Sequence, residues 1–172
     1  DAENLSLLSE QVLKENKNLY VVKSISKSYG VPGIRLGILA SGNTDMIGRL
    51  KKDVSIWNIN SMAEFFMQIL DKYKSDYTDS LRKIKEERSR FLNELCAIKN
   101  LKVYPSQANY FMCEILDGIS SEELAGRLLK ENILIKDLTG KIHNGKQYIR
   151  IAIRGEEENR ILVEKLKVCM KQ

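Results

Sequence analysis

Lys27 stands among small residues. The stretch SISKSYGVPGIRLG, starting at Ser24, sets it between serines and glycines, with Arg35 eight positions later. The flanking runs, LYVV before and LGILA after, are apolar and strand-forming. A surface turn between two strands needs glycine, but it does not need a lysine at its centre. A lysine held in a shielded pocket on a tight connection can lose its proton and attack an aldehyde, forming a Schiff base. Arg35 and the hydroxyls of Ser24 and Ser26 would suit a phosphate group on the same ligand. Two common phosphate motifs do not fit. A P-loop carries its lysine after the glycines, whereas Lys27 precedes them, and no GxGxxG is present. An aldehyde that carries a phosphate is pyridoxal 5'-phosphate. A turn that merely contains a lysine and an arginine gives the same pattern.

A second candidate lies in the run QYIRIAI at 147–153. Side chains alternate along a strand, so Ile149, Ile151 and Ile153 share one face, and Tyr148, Arg150, Ala152 and Arg154 share the other. The isoleucine face belongs in a core. Arg150 then points away from it in mid-strand, either as part of a solvated face or as a guanidinium fork aimed at a carboxylate. Arg154 lies about 13 Å further along at ~3.3 Å per residue, too far to grip the same group.

The elements that must position these residues read as follows. Leu5, Leu8 and Val12 predict a short amphipathic helix over 4–15. Strands are predicted over 19–25 and 34–40 with a loop between them, and Gly42 and Asn43 mark a turn. Met62, Phe65, Phe66, Ile69 and Leu70 form a core-facing helix stripe. Tyr77, Leu81, Ile84, Arg88, Phe91 and Leu95 predict a long helix over 74–97. Beyond Asn100, short strands (LKVYP, NYFMCEI, ILIKDL, QYIRIAI) alternate with two helices. One opens at Ser120 with Glu123 at capping-box spacing; the other is EEENRILVEKLKVCM. The expected fold class is α/β and α+β: two strands plus helices over 1–72, then an α+β domain over 73–172 with a short sheet packed by helices.

Bulk properties narrow the function. The 172 residues are 43% hydrophobic and 30% charged, and no apolar run reaches the length of a membrane span. The amino terminus, DAENLSLLSE, lacks the regions of a signal peptide, and the first residue is Asp1 rather than Met, so the chain is expected to begin inside a larger protein. Cys96, Cys113 and Cys169 form no CxxC pair, and His143 is the single histidine. That set points away from zinc or disulfides and toward free thiols in a reducing cytoplasm. The net charge of +5 comes from basic residues interspersed with acids, as in RKIKEERSR, which reads as a solvated helix face and not a nucleic-acid surface.

SISKSYGVPGIRLG resembles the cofactor-lysine signature of fold-type I pyridoxal-phosphate enzymes, the class I/II aminotransferases. IWNINSMAE resembles the segment that opens the interdomain helices. PSQANYF resembles the first small-domain strands, and YIRIAI the terminal strand with the substrate-carboxylate arginine. The branch most resembled is that of histidinol-phosphate aminotransferase and threonine-phosphate decarboxylase. The resemblance implies that Lys27 binds the cofactor covalently and is catalytic. It implies further that Ser24 and Arg35, with Ser26 as a weaker candidate, hold the cofactor phosphate. Arg150 would bind the substrate carboxylate, and Asn109 would lie in the pocket. Arg154 is left between a distal substrate phosphate and a surface role. The implied reaction is amino-group transfer between an amino acid and a 2-oxo acid, with decarboxylation of a phosphorylated amino acid such as threonine phosphate as the alternative. The expected partners are these small molecules and, in the full-length protein, a second identical subunit; neither nucleic acid nor membrane is expected. The pattern also departs from the family. The aromatic platform for the pyridine ring, the Asn and Tyr near its O3', the Asp at the ring nitrogen and the glycine-rich phosphate cradle are not identifiable. The chain therefore resembles the carboxy-terminal part of such an enzyme, inactive alone; an inactive fragment or assembly module is the non-enzyme alternative.

Overall fold

Ser9 opens the first helix by accepting a hydrogen bond from the Val12 amide at 3.3 Å, and α1 runs Glu10–Glu15 with Glu10 in its first turn and Lys14 in its last. The computed structural model describes residues 6–170, so Leu5, part of the expected apolar stripe, lies outside the described residues. Two compact units emerge, one up to Thr78 and one from Asp79.

In the first unit β1 (Tyr20–Ser24) pairs antiparallel with β2 (Gly37–Ser41), in register from Tyr20↔Ser41 to Ser24↔Gly37. The connection, read from sequence as a loop, is a helical turn, α2 (Ile25–Ser28), followed by a 3₁₀ turn at Pro32–Ile34. Short-range bonds make it so: Tyr29 N donates to Ile25 O at 3.1 Å and Ser28 Oγ to Ser24 O at 3.1 Å. Gly30, at φ 68°, then ends the turn in a conformation that costs glycine little. The second strand starts later than the expected residue 34 because Arg35 is left-handed, at φ 52°. Gly42 passes so close to α1 that a Cβ there would fall 1.8 Å from the Leu13 carbonyl oxygen.

Asn43 does more than turn the chain. Its Oδ1 accepts from Met46 N at 3.0 Å and caps α3 (Thr44–Asp53), a helix the apolar pattern did not announce. Asn60 likewise caps α4 (Ser61–Ile69) by accepting from Ala63 N at 2.9 Å. The stripe expected to face a core is only partly covered within this unit. Ala63 is buried, and Phe66 and Ile69 are half-buried, but Met62 and Phe65 are 66% and 56% exposed. A 3₁₀ turn at Leu70–Tyr73 leads into the long helix α5 (Lys74–Cys96).

The second unit holds a four-stranded antiparallel sheet in the order β3 (Leu101–Val103), β4 (Tyr110–Ile115), β6 (Gln147–Ala152), β5 (Lys136–Asp137). Phe111 and Cys113 of β4 and Ile149 and Ile151 of β6 share one face and are fully buried. They form one core with Phe91 and Leu95 of α5, Leu124 and Leu128 of α6 (Ser121–Lys130), and Leu162 and Leu166 of α7 (Glu156–Cys169). Removing each such side chain from water stabilises the unit by roughly 1.5–3 kcal/mol. Burial pushes the Cys113 thiol up to about 12, so it acts as an apolar filler. Asn159, 1% exposed, fixes the step from β6 into α7: its Oδ1 accepts from Arg154 N and its Nδ2 donates to Arg154 O, each at 3.0 Å. Among the described residues no helix is long and apolar enough to cross a membrane.

Candidate active site

Three of the residues singled out by sequence carry unengaged polar groups at one end of the β1–β2 pair. Lys27 lies on α2 and is exposed, so the shielding expected of it is not provided within this unit. Among the described residues no hydrogen bond or ion pair engages its amine. Ser24 begins the α2 turn, yet its hydroxyl makes no capping bond. Arg35 is exposed and left-handed, a conformation that costs a non-glycine residue about 1–3 kcal/mol and persists only where its surroundings impose it. Here both neighbours are fastened: Ile34 O accepts from Asn60 Nδ2 at 2.9 Å, and Leu36 N donates to Ser26 Oγ at 2.7 Å.

Ser26 differs from the other three. It is 3% exposed, its hydroxyl donates to Leu36 O at 3.1 Å while accepting from Leu36 N, and its own amide also donates to Leu36 O at 3.1 Å. The Ser26–Leu36 pair closes the connection and brings Lys27 and Arg35, its inner neighbours, to one end of the hairpin. Ser26 is thus engaged in the fold, with no hydroxyl hydrogen left for a phosphate. Ser26→Ala leaves the Leu36 amide buried without a partner and should lower unfolding stability by about 1–3 kcal/mol in a urea titration. Stability unchanged to within about 0.5 kcal/mol together with weakened cofactor affinity would return Ser26 to the phosphate-binding set.

The donor set fits pyridoxal phosphate. A primary amine is available for its carbonyl carbon, and a guanidinium and a hydroxyl are available for its phosphate, none with a side-chain partner among the described residues.

In the second unit Arg150 sits mid-strand, exposed, between the buried Ile149 and Ile151. It faces Met112 across one strand boundary and Lys136 across the other. Its guanidinium carbon stands 5.1 Å from the centre of the Tyr110 ring, a cation–π contact that steadies the side chain. An open cleft of about 780 Å³ is lined by Arg150, Lys136, Lys141 and Asp137. Burial pushes the Asp137 carboxyl upward, but hydrogen bonds led by Thr139 hold it below its ordinary value, so it is charged beside these cations.

Arg154 does not join Arg150. The strand ends at Ala152, and Arg154 Nε bonds Glu158 Oε1 at 2.6 Å; it lines a different cleft, of about 660 Å³, with Arg90. Asn109 is exposed just before β4 and accepts from Ile153 N at 2.9 Å through its backbone oxygen. Tyr148, expected on the outward face beside Arg150, is buried, and so is Glu114. Lys146 Nζ lies 2.8 Å from Glu114 Oε1, and the Tyr104 hydroxyl donates to its other oxygen. Lys146 first, then Tyr104, holds the Glu114 carboxyl below its ordinary range. The polar face of the sheet is therefore closed at its Tyr148 end and open at Arg150. Tyr110, Lys136 and Glu114 were missed from sequence; strand parity was the available signal for Tyr110 and Glu114, whereas Lys136 needs the pairing register.

The sequence pattern of the family described as aminotransferase class I and II matches residues 3–166, and the chain belongs to that family. The enzymes of this family depend on pyridoxal phosphate. The chain is similar to an L-serine phosphate decarboxylase of Campylobacter jejuni, 35% identical over 160 residues, covering 91% of this chain and 41% of the relative. A histidinol-phosphate aminotransferase from Clostridium acetobutylicum superposes with a TM-score of 0.82 at 32% identity over 93% of this chain and 48% of that one. A decarboxylase from Sulfurospirillum multivorans gives 0.84 at 32% identity over 99% of this chain and 49% of that one. The chain thus spans less than half the length of each of these proteins.

Proposed function

We propose that this chain is the carboxy-terminal part of a pyridoxal-phosphate enzyme that acts at the α-carbon of an amino acid. Residues 1–72 would end the large cofactor-binding domain, and 73–172 would form the small domain. Lys27, Ser24 and Arg35 would hold the cofactor. When bound, that group supplies an electron sink for the bond broken at the α-carbon. Lys27 Nζ would anchor it and, once displaced from it by the amine of the incoming amino acid, would accept and return the α-proton. Arg150 would bind the α-carboxylate as a two-pronged donor and so orient the α-carbon. The observation that carries the reading is that, among the described residues, neither the Lys27 amine nor the guanidinium of the left-handed Arg35 has a partner, while the bonds between their neighbours Ser26 and Leu36 bring the two residues to one end of the hairpin. The reaction on this reading is amino-group transfer to a 2-oxo acid, by a cytoplasmic homodimer.

A second reading is favoured by Lys136. It lies directly opposite Arg150, and both line one cleft with Lys141. Three cations against the one carboxylate of Asp137 leave an excess of positive charge that suits a phosphate dianion better than a single carboxylate. If Arg150 and Lys136 hold a distal phosphate, the α-carboxylate is left free to depart as carbon dioxide, in line with the phosphorylated substrates named for the similar decarboxylases. One assay separates the two. The full-length enzyme is supplied with phosphoserine, phosphothreonine and a set of unphosphorylated amino acids, with and without 2-oxoglutarate. Amino-group transfer predicts glutamate formation that requires the oxo acid; decarboxylation predicts carbon dioxide and an amine without it. Neither product from any amino acid tried would overturn both readings.

A further inference from the structure

Lys27 rides on a single helical turn, too short to hold its shape unaided. Its neighbours are fastened on both sides. On the amino-terminal side Ser26 is bonded to Leu36. On the other side, the backbone of the segment that follows takes up three of the carbonyls of α2: Tyr29 N donates to Ile25 O, Val31 N to Ser26 O and Gly30 N to Lys27 O. The Ser28 carbonyl remains, and it accepts the Tyr77 hydroxyl at 3.1 Å. Tyr77 stands in the first turn of α5, 49 residues further along the chain. Its ring lies against that of Tyr29 with centroids 4.5 Å apart, and Phe66 of α4 meets Tyr29 edge-on at 6.0 Å. Burial, and after it the neighbouring Tyr29, raises the Tyr77 phenol above its ordinary pKa, which keeps it a donor through neutral and mildly alkaline pH.

We propose that Tyr77 is a positioning residue for Lys27: by taking the carbonyl the backbone leaves open, its hydroxyl fixes the direction in which the turn presents the lysine amine. The proposal rests on Lys27 being the cofactor-holding lysine. It makes the start of α5 a functional element, where the sequence pattern offered only a packing stripe.

Tyr77→Phe keeps the ring contact and removes only the hydrogen bond. In the full-length protein without cofactor, amide hydrogen exchange at Tyr29, Gly30 and Val31 should quicken about 10-fold while the rest of the molecule is unchanged. In the cofactor-loaded enzyme kcat should fall about 5- to 20-fold with KM held within about twofold, a split that a purely structural contact would not produce. Unchanged exchange, or faster exchange with unchanged kcat, would overturn the proposal. Full activity of Lys27→Ala would instead strike the reading beneath it, and the exchange measurement decides by itself whether Tyr77 holds the turn.

Discussion

Lys27→Ala should lower kcat/KM of the full-length enzyme by more than about 10³-fold, because on the proposed reading one substitution removes both the cofactor anchor and the group that moves the α-proton. The fold should survive it. Lys27 is exposed and its amine is bonded to nothing in the described residues, so no packing or ion pair is lost with it. An unchanged unfolding midpoint beside lost turnover is the expected pair of results. Turnover within about a factor of ten of the parent would mean that another amine does this work.

Arg150→Ala should cost about 30- to 1,000-fold in kcat/KM, the range for losing a charge-assisted, two-pronged contact that positions the substrate. Arg150→Lys should recover only part of this, since one ammonium does not reproduce a planar fork. Arg154→Ala should stay near the parent for substrates without a distal phosphate, because that side chain is engaged with Glu158 in another cleft. The two readings of Arg150 part on substrate choice. A carboxylate role predicts a loss for every amino acid, whereas a phosphate role shared with Lys136 predicts a loss confined to phosphorylated ones. A kcat/KM within about twofold for all substrates would remove Arg150 from the site.

The lysine loop was legible because its parts are local. Ser24, Lys27 and Arg35 are separated by a fixed spacing, and the bonds that draw the outer residues together join Ser26 to Leu36, ten positions apart. The helical form of the turn was not legible, since the local bonds of a single turn are too few to hold it alone and a long-range bond from Tyr77 to Ser28 supplements them. Asn43 was read as a turn residue when it caps α3; the same side chain serves both purposes, and the choice depends on the Met46, Ile47 and Leu50 positions that follow. The Met62–Leu70 stripe announced a helix correctly, but an apolar face does not say what covers it. Strand parity placed Arg150 opposite the core, then failed at Arg154 because β6 had already ended at Ala152. Lys136 came into view only with the cross-strand register, which is a non-local property.

The most direct test is to load the full-length protein with pyridoxal phosphate, reduce it with borohydride, digest it and locate the pyridoxyl group by mass spectrometry. The label should lie on Lys27 alone, and Lys27→Ala should take up none. A label on Lys23, four positions earlier on the exposed edge of β1, or one spread over several surface lysines, would contradict the assignment of the cofactor site.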